Sequence, residues 1–152
     1  MTVTSADPRL ETMLRNVGDL TFRRRIVTII DYLQITDDDV IFDAGCGEGF
    51  YVMVLSHLTQ ARIVAMDGNP KLIDNAKRWV GDTPRVTWHV RDLIDLPFPD
   101  NTFSKMICSE VLEHLPDPVA TLRELRRVLK DDGVLAITVP NHRYPFLFDP
   151  LN

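Results

Sequence analysis

Three glycines stand at alternate positions in "VIFDAGCGEGFY", Val40 to Tyr51, directly behind an apolar run. A short apolar run ending at glycine reads as a strand buried on both faces, and Glu48 to Leu58 then reads as a helix. Few folds carry a chain from a buried strand into a helix across so little side chain. Glycine permits the tight turn and lets a ligand approach the main chain without meeting a Cβ. The helix that follows points free N–H groups at whatever binds, which favours an anionic group.

The rest of the chain alternates in the same way. Asp7-Pro8 opens a first helix carrying Leu10, Met13, Leu14 and Val17, and a second follows Gly18 with Phe22, Ile26, Ile29, Ile30 and Leu33 on one face. "RIVAMD" reads as the second strand, "RVTWHV" as the third and "FSKMICS" as the fourth. Asn69-Pro70 and Asp117-Pro118 open two more helices, and "DDG" is expected to turn the chain into a last strand, "VLAITVP". An Asp or Asn followed by Pro starts a helix for a stated reason: a side-chain cap plus a preset φ. Strands alternating with helices predict an α/β fold, a parallel sheet with helices on both faces and right-handed crossovers. Ligands of such sheets bind beyond the carboxyl ends of the strands. Asp43 with the glycines, Asp67, Asp92 and Ser109-Glu110 each follow a strand.

Glycine spacing separates the nucleotide-binding versions of this turn. A phosphate loop needs Gly-Lys-Ser/Thr, which is absent, and a dinucleotide fingerprint is G-x-G-x-x-G, whereas Gly45, Gly47 and Gly49 give G-x-G-x-G. Asp43, immediately before the loop, would repel a pyrophosphate and suits a ligand carrying an ammonium group. Asp67, at the end of the next strand, can accept hydrogen bonds from ribose hydroxyls. A nucleoside with an amino-acid tail and no phosphate satisfies all of these.

Composition sets the outer limits. The 152 residues fit one domain, and 45% hydrophobic with 26% charged residues is ordinary for a globular chain. A net charge of −5 gives no inducement to bind nucleic acid, and no apolar stretch is long enough for a membrane span. The one basic run, Arg23-Arg24-Arg25, reads as a solvated helix face. Cys46 and Cys108 have no metal or disulfide spacing and read as reduced, buried thiols, with a cytoplasmic location expected.

The segments "DAGCGEG", "VAMDGNPKLIDNAK", "RDLIDLPFPDNTFSKMICSEVLEHLPDP" and "LKDDGVLAITVPN" resemble, in order and spacing, the motifs of class I S-adenosylmethionine-dependent methyltransferases. The likeness runs from Val40 to Asn141 and is best to the broad small-molecule subgroup that includes the quinone C-methyltransferases. It implies a Rossmann-like doubly wound sheet of strand order 3-2-1-4-5. It also implies S-adenosyl-L-methionine as cofactor, S-adenosyl-L-homocysteine as product and a small-molecule methyl acceptor. By the same resemblance Asp43, Gly45, Cys46 and Gly47 would line the methionine moiety. Asp67 would grip the ribose, and Gly68 and Asn69 would pass under the adenine. Asp92 and the Leu93 N–H would meet the adenine edge, and Ser109 with Glu110 would close near the sulfur. Arg91 and Ser104 depart from the family pattern, which has glycine and aspartate at those places.

A lone Asp at a strand end is more often a helix cap or loop residue; the ordered set carries the assignment. Cys46 has no partnering base in view and is not expected to be a nucleophile. Glu110, Glu113, His114, His142 and Tyr144 are the candidate bases, with His114 named as the catalytic candidate.

The layout expected is helices over 1–38, a cofactor-binding core over 39–140 and a tail over 141–152. The family's sheet continues with a further helix and two more strands. The sequence is therefore expected to be an amino-terminal portion of a longer methyltransferase, or a shortened form lacking those last two strands. Its fifth-strand edge and the aromatic tail around Tyr144, Phe146 and Phe148 predict a homodimer or a covering tail. Two other readings remain: a non-catalytic cofactor-binding or interaction domain, and an NAD-dependent oxidoreductase, which the glycine spacing and Asp43 disfavour.

Overall fold

A computed structural model describes residues 2–140. Two helices, α1 (Pro8–Leu14) and α2 (Leu20–Leu33), precede an alternating series: β1 (Val40–Ala44), α3 (Phe50–Leu58), β2 (Arg62–Asp67), α4 (Pro70–Val80), β3 (Val86–Val90), β4 (Phe103–Ser109), α5 (Pro118–Val128) and β5 (Leu129–Thr138). A single 3₁₀ turn, Leu112–His114, follows β4. All pairings are parallel, and the sheet order is β3-β2-β1-β4-β5, as the family resemblance implies. Strand order reverses between β1 and β4, which puts the ligand crevice at the carboxyl ends of β1, β2 and β4.

The helix starts follow from their caps. Asp7, Asn69 and Asp117 accept from the N–H groups of Arg9, Lys71 and Ala120, each with proline in the first turn. Asp19 caps α2 through Thr21 and Phe22. Helix α3 begins two residues later than expected because Gly49, at φ +80°, serves as its N-cap in the left-handed region.

The strands divide their side chains between two cores. Ile41, Ile63, Ala65 and Ile107 face α1 to α4, while Phe42, Ala44, Met66, Phe103 and Met106 face α5 and the loop bearing Leu93 and Leu96. Phe42 stacks on Phe103 at 4.8 Å, and Phe98 meets both rings edge-on. His89 packs edge-on to Phe98 at 5.3 Å, and Trp88 packs against the first core. The loop is held to α5 by Arg127, which donates to the carbonyls of Leu96 and Phe98 and to Glu124 and Asp100. Arg127 holds the Glu124 carboxyl down at about 2.

The "DDG" segment is not a turn. Helix α5 passes straight into β5 at Leu129, which already pairs with Phe103; Lys105 then pairs with Val134. Two steps along β4 therefore match five along β5, and the surplus bulges out of the ladder. Strand β5 is an edge of the described sheet. The tail around Tyr144, and His142 with it, lies outside the described residues.

Candidate functional site

The five parallel strands deliver Asp43, Asp67, Asp92, Ser109 and Thr138 at or just beyond their carboxyl ends, along one rim of the sheet. The glycine loop is bound to that rim by its own backbone. The N–H groups of Gly45 and Cys46 both donate to the Met66 carbonyl, at 2.8 and 2.9 Å. Gly47 N–H donates to Asp67 Oδ2 at 3.0 Å, and Asn69 N–H to Oδ1 at 2.8 Å. Asp67 thus braces the loop from below, a role that sequence spacing does not reveal.

The glycines now divide by cause. Gly45 has φ +80°, and a Cβ on it would lie 2.5 Å from Val111 Cγ2. A Cβ on Gly49 would lie 2.8 Å from that of Ala76. Both are bare because the protein itself packs against them. Nothing lies within 4 Å of the place a Gly47 Cβ would take, and Gly47 borders the open cleft.

That cleft encloses about 420 Å³ and brings together Gly45, Gly47, Asp67, Gly68, Asp92, Leu93, Glu110 and His114. Leu72, Arg91, Val111 and Leu115 also line it. Of these, Val111 and Leu115 read in the sequence only as members of "EVLEHLPDP", with no signal that they face a ligand. Gly68 lies close to Asp92, with 3.5 Å between its would-be Cβ and Asp92 Oδ1.

Four expected residues are not among those that line the cleft. Asn69 caps α4 with its side chain, and Cys46 is buried off the cleft, its thiol pushed up by burial and then by the charges of Asp43 and Asp67. Such a thiol stays protonated and is no nucleophile. Ser109 joins a chain of hydroxyls, 3.3 Å from Tyr51 Oη and 2.8 Å from Thr138 Oγ1. Burial pushes the Tyr51 phenol up to about 12.

Asp43 is the fourth. Only 2% exposed, it lies on β1 between β2 and β4, and its Oδ2 has no hydrogen-bond partner among the described residues. Burial first, and the nearby charge of Asp67 second, push its carboxyl up to about 7. A buried carboxylate without a partner is costly unless a cation comes to it.

The candidate bases separate by exposure. His114 borders the cleft, but its side chain is 76% exposed and its Nε2 is 3.8 Å from Glu113 Oε1. Glu110 is largely covered, at φ +56°, and its N–H donates to the Thr138 carbonyl at 2.9 Å. The basic run needs correction as well: Arg25 is not a solvated residue. Its side chain is 15% exposed, 3.7 Å from Glu110 Oε2, with its guanidinium 6.0 Å from the centre of the Phe22 ring.

A family model for the methyltransferase domain matches residues 42–137, which contain every residue that lines the cleft. The chain belongs to the class I S-adenosylmethionine-dependent methyltransferases. A sterol 24-C-methyltransferase of Eremothecium gossypii is 32% identical over 106 residues, covering 68% of this chain and 28% of that protein. Its counterpart in Pneumocystis carinii is 31% identical over 105 residues, covering 67% and 28%. Among solved structures, the [4+2]-cyclase SpnF superposes with a TM-score of 0.71 at 25% identity, covering 76% of this chain and 44% of that one. A methyltransferase from Aquifex aeolicus gives 0.67 at 23% identity, covering 83% and 70%, a likeness of fold. The chain thus spans under a third of the sterol methyltransferases it matches.

S-adenosylmethionine is the cofactor of this methyltransferase family, and the site has the features such a ligand requires. The buried Asp43 Oδ2, with no hydrogen-bond partner among the described residues, suits an ammonium group, and a glycine-rich loop lies ahead of α3. Asp92 and the Leu93 N–H make no hydrogen bond to any described residue. No helix among the described residues is long and apolar enough to cross a membrane.

Proposed function

We propose that the chain binds S-adenosylmethionine in the cleft between the ends of β1, β2 and β4 and catalyses methyl transfer to a small-molecule acceptor. The observation that carries this reading is Asp43, a buried carboxylate whose Oδ2 has no hydrogen-bond partner among the described residues, beside a glycine loop that Asp67 braces. The ammonium group would pair with Asp43 Oδ2, and the carboxylate of the same moiety would meet the Gly47 side of the loop and the start of α3. Asp67 would accept from the ribose hydroxyls with the lone pairs its two N–H partners leave. Gly68 would pass beneath the adenine, whose edge would meet Asp92 and the Leu93 N–H. Ser109, held by Thr138 and Tyr51, would stand near the sulfur, with Glu110 beside it.

When bound, the sulfonium would supply the methyl group and a sulfur leaving group that keeps the electron pair of the broken bond, the pair of the new bond coming from the acceptor. The chain's own contribution is alignment, which can lower a barrier by about 7–11 kcal/mol when the geometry is well held.

Calorimetry with S-adenosylhomocysteine, S-adenosylmethionine and NAD tests the reading. The first two are expected to bind and NAD to bind far more weakly. A preference for NAD over both would return the site to an oxidoreductase.

A further inference from the structure

The cofactor cleft is one of three cavities that meet at a single side chain. Glu110 lines the cleft and also borders a cavity of about 340 Å³ between α2 and β5, walled by Ile29, Ile137 and Val139 with Arg24, Arg25 and Thr138 at its polar end. A third space, of about 540 Å³, opens between Glu110, Glu113 and His114 on one side and Asp19 and Thr21 on the other.

Glu110 is held there against its own preference. At φ +56° it occupies the left-handed region, which disfavours a side chain with a Cβ, and it is one of three described non-glycine residues with positive φ. The backbone bond to Thr138 fixes the turn, and Arg25 reaches from α2 to the carboxylate. Both partners are mostly covered, at 15% and 23% exposure. Such strain collects where a side chain must be aimed. A carboxylate has about four acceptor positions, and a guanidinium 3.7 Å from one oxygen leaves the others for a donor arriving from the cavity.

We propose that Glu110 receives the O–H or N–H of the methyl acceptor at the junction of the cavities, and that Arg25 is the positioning residue that holds its carboxylate. The inference rests on the cofactor reading above. The acceptor is a small molecule with an apolar body, seated against Ile29, Ile137 and Val139, and a hydroxyl or amino group at one end. As the acceptor is methylated, its proton passes to the Glu110 carboxylate and from there to solvent. The mechanism differs from the sequence expectation that His114 carries the chemistry, since that ring is mostly in solvent.

The full chain, methyl-labelled S-adenosylmethionine and a panel of phenols and aromatic amines provide the test, with alkylbenzenes of equal size as controls lacking the donor. Label is expected on the phenols or amines and not on the alkylbenzenes. Glu110→Gln is expected to lower the rate about 100-fold, the range of a lost proton acceptor, and to change S-adenosylhomocysteine affinity far less. Arg25→Gln should raise the acceptor KM more than it lowers kcat, and Arg25→Lys should restore most of it. Glu110→Gly, which tolerates φ +56°, should fold as wild type and transfer nothing. Wild type that binds S-adenosylhomocysteine but labels none of the panel overturns the proposal, as does Glu110→Gln at the wild-type rate. Wild type that fails to bind S-adenosylhomocysteine overturns the cofactor reading beneath it.

Discussion

The two sides of the sheet rim are built on different principles. On the β1–β2 side, the site is made from consecutive strands: the loop after β1 hydrogen-bonds to Met66 and Asp67 at the end of the next strand. Backbone groups and the Asp67 carboxylate hold the loop there. On the β4–β5 side, the site is assembled from distant pieces: Arg25 of α2, Tyr51 of α3, Ser109 and Glu110 at the end of β4 and Thr138 of β5. Side chains do the work there. The comparison teaches that a cofactor shared by many relatives can be held by a local backbone device. An acceptor peculiar to one chain calls for side chains that can vary without disturbing that device.

Substitutions should therefore act differently on the two sides. The largest effect is expected at Gly45, where Gly45→Val places a β-branched side chain at φ +80° against Val111. Backbone strain and overpacking together should cost about 3–5 kcal/mol of folding stability, read by chemical denaturation. A loss below about 1 kcal/mol would show that the loop can shift away from Val111.

Asp67→Ala comes next. It removes the acceptor for two loop N–H groups as well as for the ribose. Affinity for S-adenosylhomocysteine should fall about 100-fold, near 3 kcal/mol, while stability falls less. An unchanged dissociation constant in calorimetry would place the ribose elsewhere.

Asp43 should show the opposite balance. Its folded pKa, about 7, is above the ordinary carboxylate value, so the native state holds a proton that the unfolded chain releases near pH 4. The stability tied to that proton is present below about pH 4, is lost as pH rises toward 7, and changes little above. Asp43→Asn keeps the shape and removes the charge. The cofactor-free variant should be more stable than wild type at pH 8, by about 2 kcal/mol, yet bind S-adenosylhomocysteine more weakly. Thermal melts of both proteins at pH 5 and pH 8 check this. A variant less stable than wild type at pH 8 would mean the native carboxylate already has a partner.

The smallest effect should come from far outside the rim. Asp117→Ala removes the cap on the Ala120 N–H and should cost about 1 kcal/mol with cofactor affinity unchanged. A matching loss of affinity would show that α5 is coupled to the cleft, and the two-sided comparison would have to be redrawn.

Much of the cofactor side was legible because its signals are local. Asp-Pro and Asn-Pro mark where α1, α4 and α5 begin, since the cap and the fixed φ act within one turn. Apolar runs mark β1, β2 and β4, because a strand covered on both faces has no polar face to show. Gly49 misled the start of α3 by two residues: as a residue type it fits a turn or a helix start, and only its left-handed φ makes it the cap. "DDG" misled the start of β5, because turn-forming residues also suit a bulge, and the pairing of Leu129 with Phe103 decided between them.

The sequence by itself determined the alternating fold, the glycine turn and the acids that end the strands, all features whose causes lie within a few residues. Tertiary structure alone decided what each acid faces. It buried Asp43 with no hydrogen-bond partner for Oδ2 among the described residues, turned Asp67 to brace the loop, moved His114 into solvent and drew Arg25 out of a basic run onto Glu110. The physical reason is distance along the chain: burial and charge pairing are set by whichever element packs opposite, and α2 is eighty-odd residues from the strand end it meets.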